Sequence, residues 1–359
     1  MKHKNETSTP PVSPYLITRT LMPENQETPL NFLLNDNTPP SYFYRRNHFP
    51  YPKLTKQSFF LPITGEVYKP RIFSFQQLLS FPSRTVKVLL ECAGNKRQLF
   101  IPKVFGEQWG AGAMSQGDWK GVPLKDLLQY AGLKYTAKEI VFEGYDWGLM
   151  PGISTPLYYA RSLPIEKALH PDTIIAYEFN GKPIPFKHGY PLRLIVPQWY
   201  AMASVKWIKR IKVIDHTFKG QFQTEDYVYY PNEDSDEGKK PVTIIHVNSM
   251  IQQPLNLSIL NQGIHKIKGM AWSGYGEITR VDVSTDHGQS WTEATLNASS
   301  RSPYTWTNWT IDWQAETKGE FTIMSRATDS CGYVQPIASQ WNRKGYGYHA
   351  IDKVNVKIQ

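Results

Sequence analysis

A charged run at residues 232–241 divides this chain and so constrains its fold. The run reads Asn-Glu-Asp-Ser-Asp-Glu-Gly-Lys-Lys-Pro, which is typical of a flexible break between domains. At 359 residues the chain is also longer than a single domain usually is. We therefore predict a first domain over residues 41–232 and a second over residues 241–359. Residues 1–40 repeat Thr-Pro and Pro-Pro steps, which predicts an extended N-terminal arm.

The residue patterns differ on the two sides of this run. Before it, residues 122–132 place apolar side chains on one face of a helix, and residues 74–79 predict a short helix capped by Ser74. Strand patterns occur before the run at residues 85–90, 140–143, 192–196 and 205–214. After it, strand patterns separated by turns, as at 278–284 and 321–327, indicate an immunoglobulin-like β-sandwich. The predicted fold class is α+β followed by this sandwich.

Composition narrows the class of protein. A hydrophobic content of 40% and a charged content of 20% are those of a globular chain. Two cysteines, no signal-like N terminus and no long apolar run predict a cytoplasmic protein without disulfides or a membrane span. The net charge of +9 comes from scattered Lys and Arg without a readout motif, so we expect no nucleic-acid partner. A basic pocket for a small oxyanion explains the charge better.

Cys92 is the first candidate for chemistry. It follows the strand pattern at 85–90 and begins the loop Cys-Ala-Gly-Asn-Lys-Arg, in which Lys96 and Arg97 are cationic. Nearby cations favour the thiolate, the form of cysteine that attacks electrophiles or binds soft metals. Taken alone, however, Cys92 is more simply explained as a small core residue, because free cysteines are among the most buried residues.

Four short motifs, in a fixed order, favour a chemical role for Cys92 over a packing role. They are Arg-Asn-His-Phe-Pro at 46–50, Cys-Ala-Gly-Asn-Lys-Arg at 92–97, His-Gly-Tyr-Pro-Leu-Arg at 188–193 and Val-Lys-Trp at 205–207. Together they resemble the sulfite oxidase family of molybdenum enzymes, which includes the molybdenum part of plant nitrate reductase. The resemblance runs from about Tyr42 to the carboxyl terminus, and residues 283–291 and 341–345 resemble the family's dimerisation domain.

The resemblance implies a cofactor and a set of site residues. Cys92 would be the single protein thiolate on molybdenum, whose other sulfurs come from molybdopterin. Arg46 and Arg97 would bind the anionic substrate, and Trp109 would wall the pocket. The residues expected to hold the pterin and its phosphate are Tyr44, Arg45, Arg46, Asn47, His48, Asp146, His188, Arg193, Ser204, Val205 and Lys206.

The implied activity is oxidation of sulfite to sulfate by oxygen-atom transfer in a homodimer. We find neither a His-Pro-Gly-Gly type of segment, as in a haem-binding cytochrome domain, nor a Cys-x-x-Cys-His motif. We therefore expect no haem and a separate electron acceptor, either cytochrome-like or oxygen. A rival within enzymes is a reductase of nitrate or a sulfoxide that uses the same cofactor. A cofactor-free binding protein and a nucleic-acid binder are the rivals outside that class.

Three departures from the family pattern concern the substrate. Pro151 stands where we match a family tyrosine near the metal, and Phe105 stands where the family has a lysine. The family's Asn-Leu-Arg-Gly becomes Asn-Arg-Lys-Gly at 342–345, which keeps a cation there. Tyrosines that could replace the missing one are Tyr145, Tyr158 and Tyr159.

Overall fold

The computed structural model describes residues 15–54, 59–297 and 302–359. The first elements are strands β1 (Ile17–Leu21) and β2 (Glu24–Glu27), which pair as an antiparallel hairpin. All four side chains of β2 are buried, and Gln26 pairs through its backbone with Arg45. The described part of the predicted arm therefore packs on the residues that follow it. The limits that we predict for the arm and for the two domains stay predictions.

The first half consists of two sheets with short helices at their edges. Its strands are β3 (Phe60–Gly65), β4 (Arg71–Ser74), β5 (Arg84–Glu91), β6 (Met114–Pro123), β7 (Glu139–Gly148), β8 (Leu157–Pro164), β9 (Ile174–Phe179), β10 (Lys182–Pro183), β11 (Arg193–Ile195) and β12 (Ile208–Ile214). One sheet has the order β10-β9-β6-β5, with β11 on β9, and the other has the order β4-β3-β12-β7-β8. Cys92 directly follows β5 in the first sheet.

Helix α1 (Phe75–Ser80) and helix α2 (Leu124–Ala131) form where the sequence predicts them. Ser74 and Gln77 exchange the two hydrogen bonds of a capping box, which satisfies N–H groups at the start of α1. Helix α2 buries one apolar face and ends at Gly132, whose φ of 69° suits glycine. Two further α-helices among the described residues are α3 (Ile165–Ala168) and α4 (Gln221–Thr224).

The second half is a β-sandwich, as predicted. Strand β13 (Val228–Tyr229) precedes the charged run and pairs with β14 (Lys240–Pro241), which forms the end of the run. The sandwich strands are β15 (Asn248–Gln253), β16 (Ser258–Leu260), β17 (Gly263–Trp272), β18 (Ile278–Ser284), β19 (Thr292–Glu293), β20 (Thr295–Leu296), β21 (Thr307–Ala315), β22 (Gly319–Asp329) and β23 (Asp352–Ile358). Its two sheets have the orders β15-β17-β21-β20 and β16-β23-β22-β18-β19, and a separate apolar core lies between them.

One expected strand is shorter than predicted. The pattern at 205–214 predicted a continuous strand, but β12 begins only at Ile208. Trp207 has a φ of 47°, which breaks the extended backbone, and its indole N–H donates to the carbonyl of Phe186 at 2.8 Å. Val205 and Lys206 therefore lie on a loop at the strand end. Within the described ranges, no helix has both the length and the apolar character needed to cross a membrane.

Candidate functional site

Cys92 begins a tight loop whose backbone is fixed by its neighbours. Its amide donates to Ala113 at 2.9 Å, and its carbonyl accepts from the Asn95 amide at 2.9 Å. The Asn95 side chain bonds both the amide of Ala113 and the carboxyl of Glu91. A Cβ at position 94 would lie 2.8 Å from the Arg97 guanidinium carbon, so any side chain there would displace this guanidinium. The Cys-Ala-Gly-Asn sequence thus holds the thiol at the end of β5.

The two cations after Cys92 do not act alike. Lys96 is only 1% exposed and its ammonium donates to Asn248 and to the carbonyl of Ser249, both at 2.9 Å. It therefore anchors the second half, and the expectation that it favours a Cys92 thiolate is wrong. Burial raises the pKa of Cys92, while the charges of Arg46 and Arg97 act to lower it. A bound metal would replace the thiol proton, because a coordinated thiol is deprotonated.

The Cys92 loop is the first wall of the site, and the segment Arg46-Asn47-His48 forms the second. The Asn47 amide donates to Asn25 at 2.7 Å, and Lys206 donates to the carbonyl of Arg46 at 3.0 Å. His48 lies beside Arg46, with its Nδ1 3.1 Å from the guanidinium. Burial, followed by the charges of Arg46 and Lys206, holds the pKa of His48 well below its ordinary value. His48 is therefore neutral and serves as a polar but uncharged wall.

The residues around β11 form the third wall. Arg193 donates to the carbonyl of His188 at 3.1 Å, and His188 donates to the carbonyl of Pro40 at 3.1 Å. The hydroxyl of Ser204 accepts from the Val196 amide at 3.1 Å. These bonds turn His188, Arg193 and Ser204 toward one cavity at the end of the sheet.

The three walls line one cavity. Its lining includes most of the residues that the sequence predicted for the cofactor: Tyr44, Arg45, Arg46, Asn47, His48, Cys92, Asp146, His188, Arg193, Ser204 and Lys206. Val205 is buried and lies between two of them. The sequence therefore predicted distant segments that the fold brings to one place.

Two predicted residues lie outside the cavity lining. Arg97 is buried, and its guanidinium donates to the carbonyls of Gly345 and Glu107, both at 3.1 Å. Trp109 is completely buried in the apolar cluster that also contains Cys92. Arg97 still acts on the site through its charge, and Trp109 supports the loop from behind.

Buried polar atoms without partners test whether a molybdopterin fits this cavity. Within the described residues, the Nε atoms of Arg45 and Arg193 and one carboxyl oxygen of Asp146 are buried and have no hydrogen-bond partner. Such groups are costly when left unpaired. Two guanidinium donors suit a phosphate, and a carboxyl acceptor suits the N–H groups of a pterin. The donor set fits the group that the sequence implied.

In a molybdopterin cofactor bound here, most ligands of the molybdenum would have to come from the cofactor and not from side chains. In residues 15–54, 59–297 and 302–359, no three His, Cys, Asp or Glu side chains are grouped so that they could hold a metal ion. Cys92 is the cysteine in the cavity lining, and Cys331 is an exposed free thiol elsewhere. A single thiolate beside a cationic pocket suits a metal delivered with further sulfur ligands.

Sequence reasoning missed Tyr227, which lines the cavity with Cys92. Its hydroxyl is 2.7 Å from Nε2 of His48, and its ring stacks on Tyr346 at 5.2 Å. Pro151, where we looked for a tyrosine, is exposed on the loop after β7 and does not line the cavity. The aromatic stretch Tyr-Val-Tyr-Tyr at 227–230 is visible in the sequence, but no local pattern shows which of its tyrosines reaches the cavity.

Of the three tyrosines proposed as replacements, one lines the cavity and two do not. Tyr159 lines the cavity and donates to the carbonyl of Met202 at 2.7 Å, with its ring stacked on His48 at 5.4 Å. Tyr158 is 40% exposed, and Tyr145 packs near Phe59. The cavity lining therefore includes three tyrosines among the residues that the structure describes, namely Tyr44, Tyr159 and Tyr227.

Comparison with known families decides what this arrangement is. Residues 48–222 match the oxidoreductase molybdopterin-binding domain, and residues 239–359 match the Mo-co oxidoreductase dimerisation domain. The sulfite oxidase of Gallus gallus is 34% identical and is aligned over 94% of this chain and 76% of its own length. This chain belongs to the sulfite oxidase family. Its sequence motifs, cavity and β-sandwich agree with that membership.

Other members of the sulfite oxidase family match to a similar degree. The mitochondrial sulfite oxidase of Mus musculus is 34% identical over 94% of this chain, but the chain spans only 64% of that protein. An NADH nitrate reductase of Solanum lycopersicum is also 34% identical, over 90% of this chain and 39% of its own length. The crystal structure of the sulfane dehydrogenase SoxCD from Paracoccus pantotrophus has a TM-score of 0.80 and 30% identity, covering 100% of this chain and 90% of that chain.

Proposed function

We propose that this chain is a molybdenum-cofactor oxidoreductase that oxidises sulfite to sulfate and passes the electrons to a separate acceptor. The observation that carries the proposal is the cavity itself, whose lining combines a single buried cysteine with the guanidinium groups of two segments, Arg45 and Arg46 on one and Arg193 on the other. Sulfite is a small dianion, and a pocket walled by arginines attracts and orients such a group. Its relatives include sulfite oxidases that align over most of this chain.

The cofactor would be held by residues of all three walls. The sulfur of Cys92 is the proposed metal ligand, and Arg193, His188, Ser204 and Lys206 are the proposed contacts of the phosphate. The remaining proposed pterin contacts are Tyr44, Arg45, Arg46, Asn47, His48, Asp146 and Val205. When bound, molybdenum in this cofactor supplies oxygen-atom transfer and accepts two electrons.

The chain's own side chains prepare the substrate. Arg46 lines the cavity and is proposed to bind the anion directly, because a guanidinium donates to two oxygens at once. Arg97 lies behind the Cys92 loop and is proposed to add attraction through its charge. Sulfite and water yield sulfate, two protons and two electrons, so the site must also release protons to solvent. Trp109 is proposed to keep water from the rear of the loop.

Two measurements on one sample test this proposal. Protein purified from a host that makes molybdopterin should contain about one molybdenum per chain and should reduce ferricyanide when sulfite is added. Molybdenum-free protein from such a host would refute the cofactor assignment. Molybdenum-loaded protein without sulfite turnover would refute the substrate assignment alone.

A second candidate is a reductase that uses the same cofactor on nitrate or a sulfoxide. Plant nitrate reductases align with 90% of this chain, and Phe105 and Lys344 depart from the sulfite oxidase pattern. Lys344 lies 3.8 Å from Asp226, which in turn lies 3.9 Å from His48 in the cavity wall. Reduced viologen with nitrate or methionine sulfoxide would detect this activity, and turnover there without sulfite oxidation would favour it.

We further propose a homodimer formed through the second half of the chain, because residues 239–359 match a dimerisation domain. The proposed domains are residues 41–232 and 241–359. We propose that the chain itself carries no haem, so that a cytochrome-like protein or oxygen accepts the electrons. Sedimentation of the loaded protein would test the dimer, and its visible spectrum would reveal any haem.

A further inference from the structure

The cavity has an unusual balance of charge. Its lining holds cations from several segments but a single carboxyl group, that of Asp146; the cations are Arg45, Arg46, Lys187, Arg193 and Lys206. Buried cations repel one another and are costly to remove from water unless an anion accompanies them. A second carboxylate close to this cluster therefore has a strong effect on where its members point.

That second carboxylate is Glu24, on strand β2 of the N-terminal hairpin. It is 6% exposed, and its two oxygens accept from Arg45 at 2.9 Å and from Lys187 at 2.9 Å. The hydroxyl of Tyr51 donates to it at 2.6 Å, and its backbone carbonyl accepts from the Asn47 side chain at 2.6 Å. Glu24 thus contacts three residues of the cavity wall, Arg45, Asn47 and Lys187, although it lies before residue 48, where the family match begins.

We propose that Glu24 is a positioning residue that holds Arg45 and Lys187 in the cavity wall, where both cations help to bind the phosphate of the pterin cofactor. The inference rests on the proposed function, because it needs that cofactor in the cavity. It makes the N-terminal hairpin a part of the cofactor site. It also adds Lys187 to the residues that contact the cofactor.

The geometry explains how one carboxylate can orient two cations without using all of their N–H donors. Arg45 uses one terminal nitrogen for both Glu24 and Gln26, at 2.9 and 2.7 Å. Its Nε remains buried without a partner among the described residues. Arg45 is therefore fixed from behind and keeps a donor for an incoming phosphate oxygen, whose charge-assisted bond is strong.

Ionisation agrees with this arrangement. Burial acts to raise the pKa of Glu24, but hydrogen bonds from Tyr51 and Lys187 and the charges of Arg45 and Lys187 outweigh it and lower the pKa. Burial lowers the pKa of Lys187, and Glu24 opposes that effect. Without Glu24, the pKa of Lys187 would fall further, and Arg45 would lose the bond that holds its side chain.

The test compares Glu24→Gln with Glu27→Gln. Glu27 lies on the same strand and is equally buried, but its ion pair is with Arg19 inside the hairpin. Both variants and wild type are produced in a host that makes molybdopterin and are dialysed with and without inorganic phosphate. Molybdenum and the fluorescence of oxidised pterin are then measured per chain over time, alongside circular dichroism.

We expect Glu24→Gln to lose pterin at least about tenfold faster than wild type, which corresponds to about 1.4 kcal/mol. Added phosphate should speed the loss further, and Glu24→Asp should restore part of the retention. Glu27→Gln should behave as wild type. Equal retention in wild type and Glu24→Gln, tighter retention in Glu24→Gln, or equal loss in the two glutamine variants would overturn the inference.

A second variant, Lys187→Gln, tests the inference if Glu24→Gln does not fold. Lys187→Gln keeps the carboxylate and removes one of the cations that it positions, so it should also lose pterin faster and respond less to phosphate. Unchanged retention in Lys187→Gln would overturn the inference. Wild-type protein that contains no pterin would overturn the proposed function, and this inference with it.

Discussion

The indole N–H of Trp272 donates to Glu91, the residue that precedes Cys92, at 2.9 Å. Trp272 ends β17 of the sandwich, and both side chains are buried. Lys96 makes the reverse connection, because its ammonium reaches Asn248 and Ser249 of β15. The loop that carries Cys92 is thus held on both sides by the second half of the chain.

Removing the Trp272 donor should destabilise the protein. We expect Trp272→Phe to lower the free energy of unfolding by about 1–3 kcal/mol more than Trp309→Phe, because it leaves a buried carboxyl short of a donor. Trp309 is equally buried, but its indole N–H has no partner among the described residues. Urea unfolding of both variants measures the difference. Equal losses would mean that the Glu91 bond contributes nothing.

Cys92→Ser should abolish turnover while much of the cofactor stays bound through the pterin contacts. We expect at least about a hundredfold loss of sulfite oxidation, the upper end of what even an indirect contact to a metal site costs. The assay is ferricyanide reduction, with pterin content measured on the same sample. Cys331→Ser is the control, because that thiol is exposed and lies outside the cavity. Wild-type activity in Cys92→Ser would show that Cys92 is not the metal ligand.

Arg46→Gln should weaken the binding of the anionic substrate. Loss of a charge-assisted bond of about 1.5–3 kcal/mol predicts a KM for sulfite that rises roughly 10- to 100-fold. The wild-type KM should also rise with salt, since the attraction is partly screened. Arg210→Gln serves as control because Arg210 pairs with Glu143 on the outer surface. A KM that does not change in Arg46→Gln would contradict direct binding.

Two partly buried histidines should make stability depend on pH. The rings of His246 and His349 lie 4.4 Å apart, and burial, with the neighbouring His246, lowers the pKa of His349 to about 4. The unfolded chain takes up a proton near pH 6.5 that the folded chain refuses until about pH 4, so stability falls as pH falls through this window.

Unfolding in urea at pH 5 and pH 7 checks this expectation. Wild type should be less stable at pH 5, with a contribution from His349 of up to about 1.4 kcal/mol per pH unit. His349→Gln should reduce the pH dependence, whereas the exposed His216→Gln should keep it. The same pH dependence in wild type and His349→Gln would show that the histidine pair does not contribute.

Local patterns in the sequence predicted the fold class, and the resemblance of four motifs to the sulfite oxidase family predicted most of the cavity residues. Helix α2 has an apolar face with a glycine stop, and the motif at 92–97 directly follows strand β5. A local pattern could not say where Lys96 points. Its ammonium finds partners on β15, about 150 residues later in the chain.

Tyr227 and Glu24 could not be predicted for the same physical reason. Tyr227 reaches the cavity because α4 and the short strand β13 fold back over His48. Glu24 reaches it because the hairpin packs beneath Arg45, whereas its Thr/Pro-rich surroundings predicted an arm. Long-range packing decides both positions, and a single sequence carries no periodic signal for it.

Metal and pterin analysis of the purified protein tests the central claim most directly. Protein from a host that makes molybdopterin should contain about one molybdenum and one pterin per chain, and the same sample should reduce ferricyanide with sulfite. Protein from that host without molybdenum or pterin would contradict the account and leave Cys92 as a buried core residue.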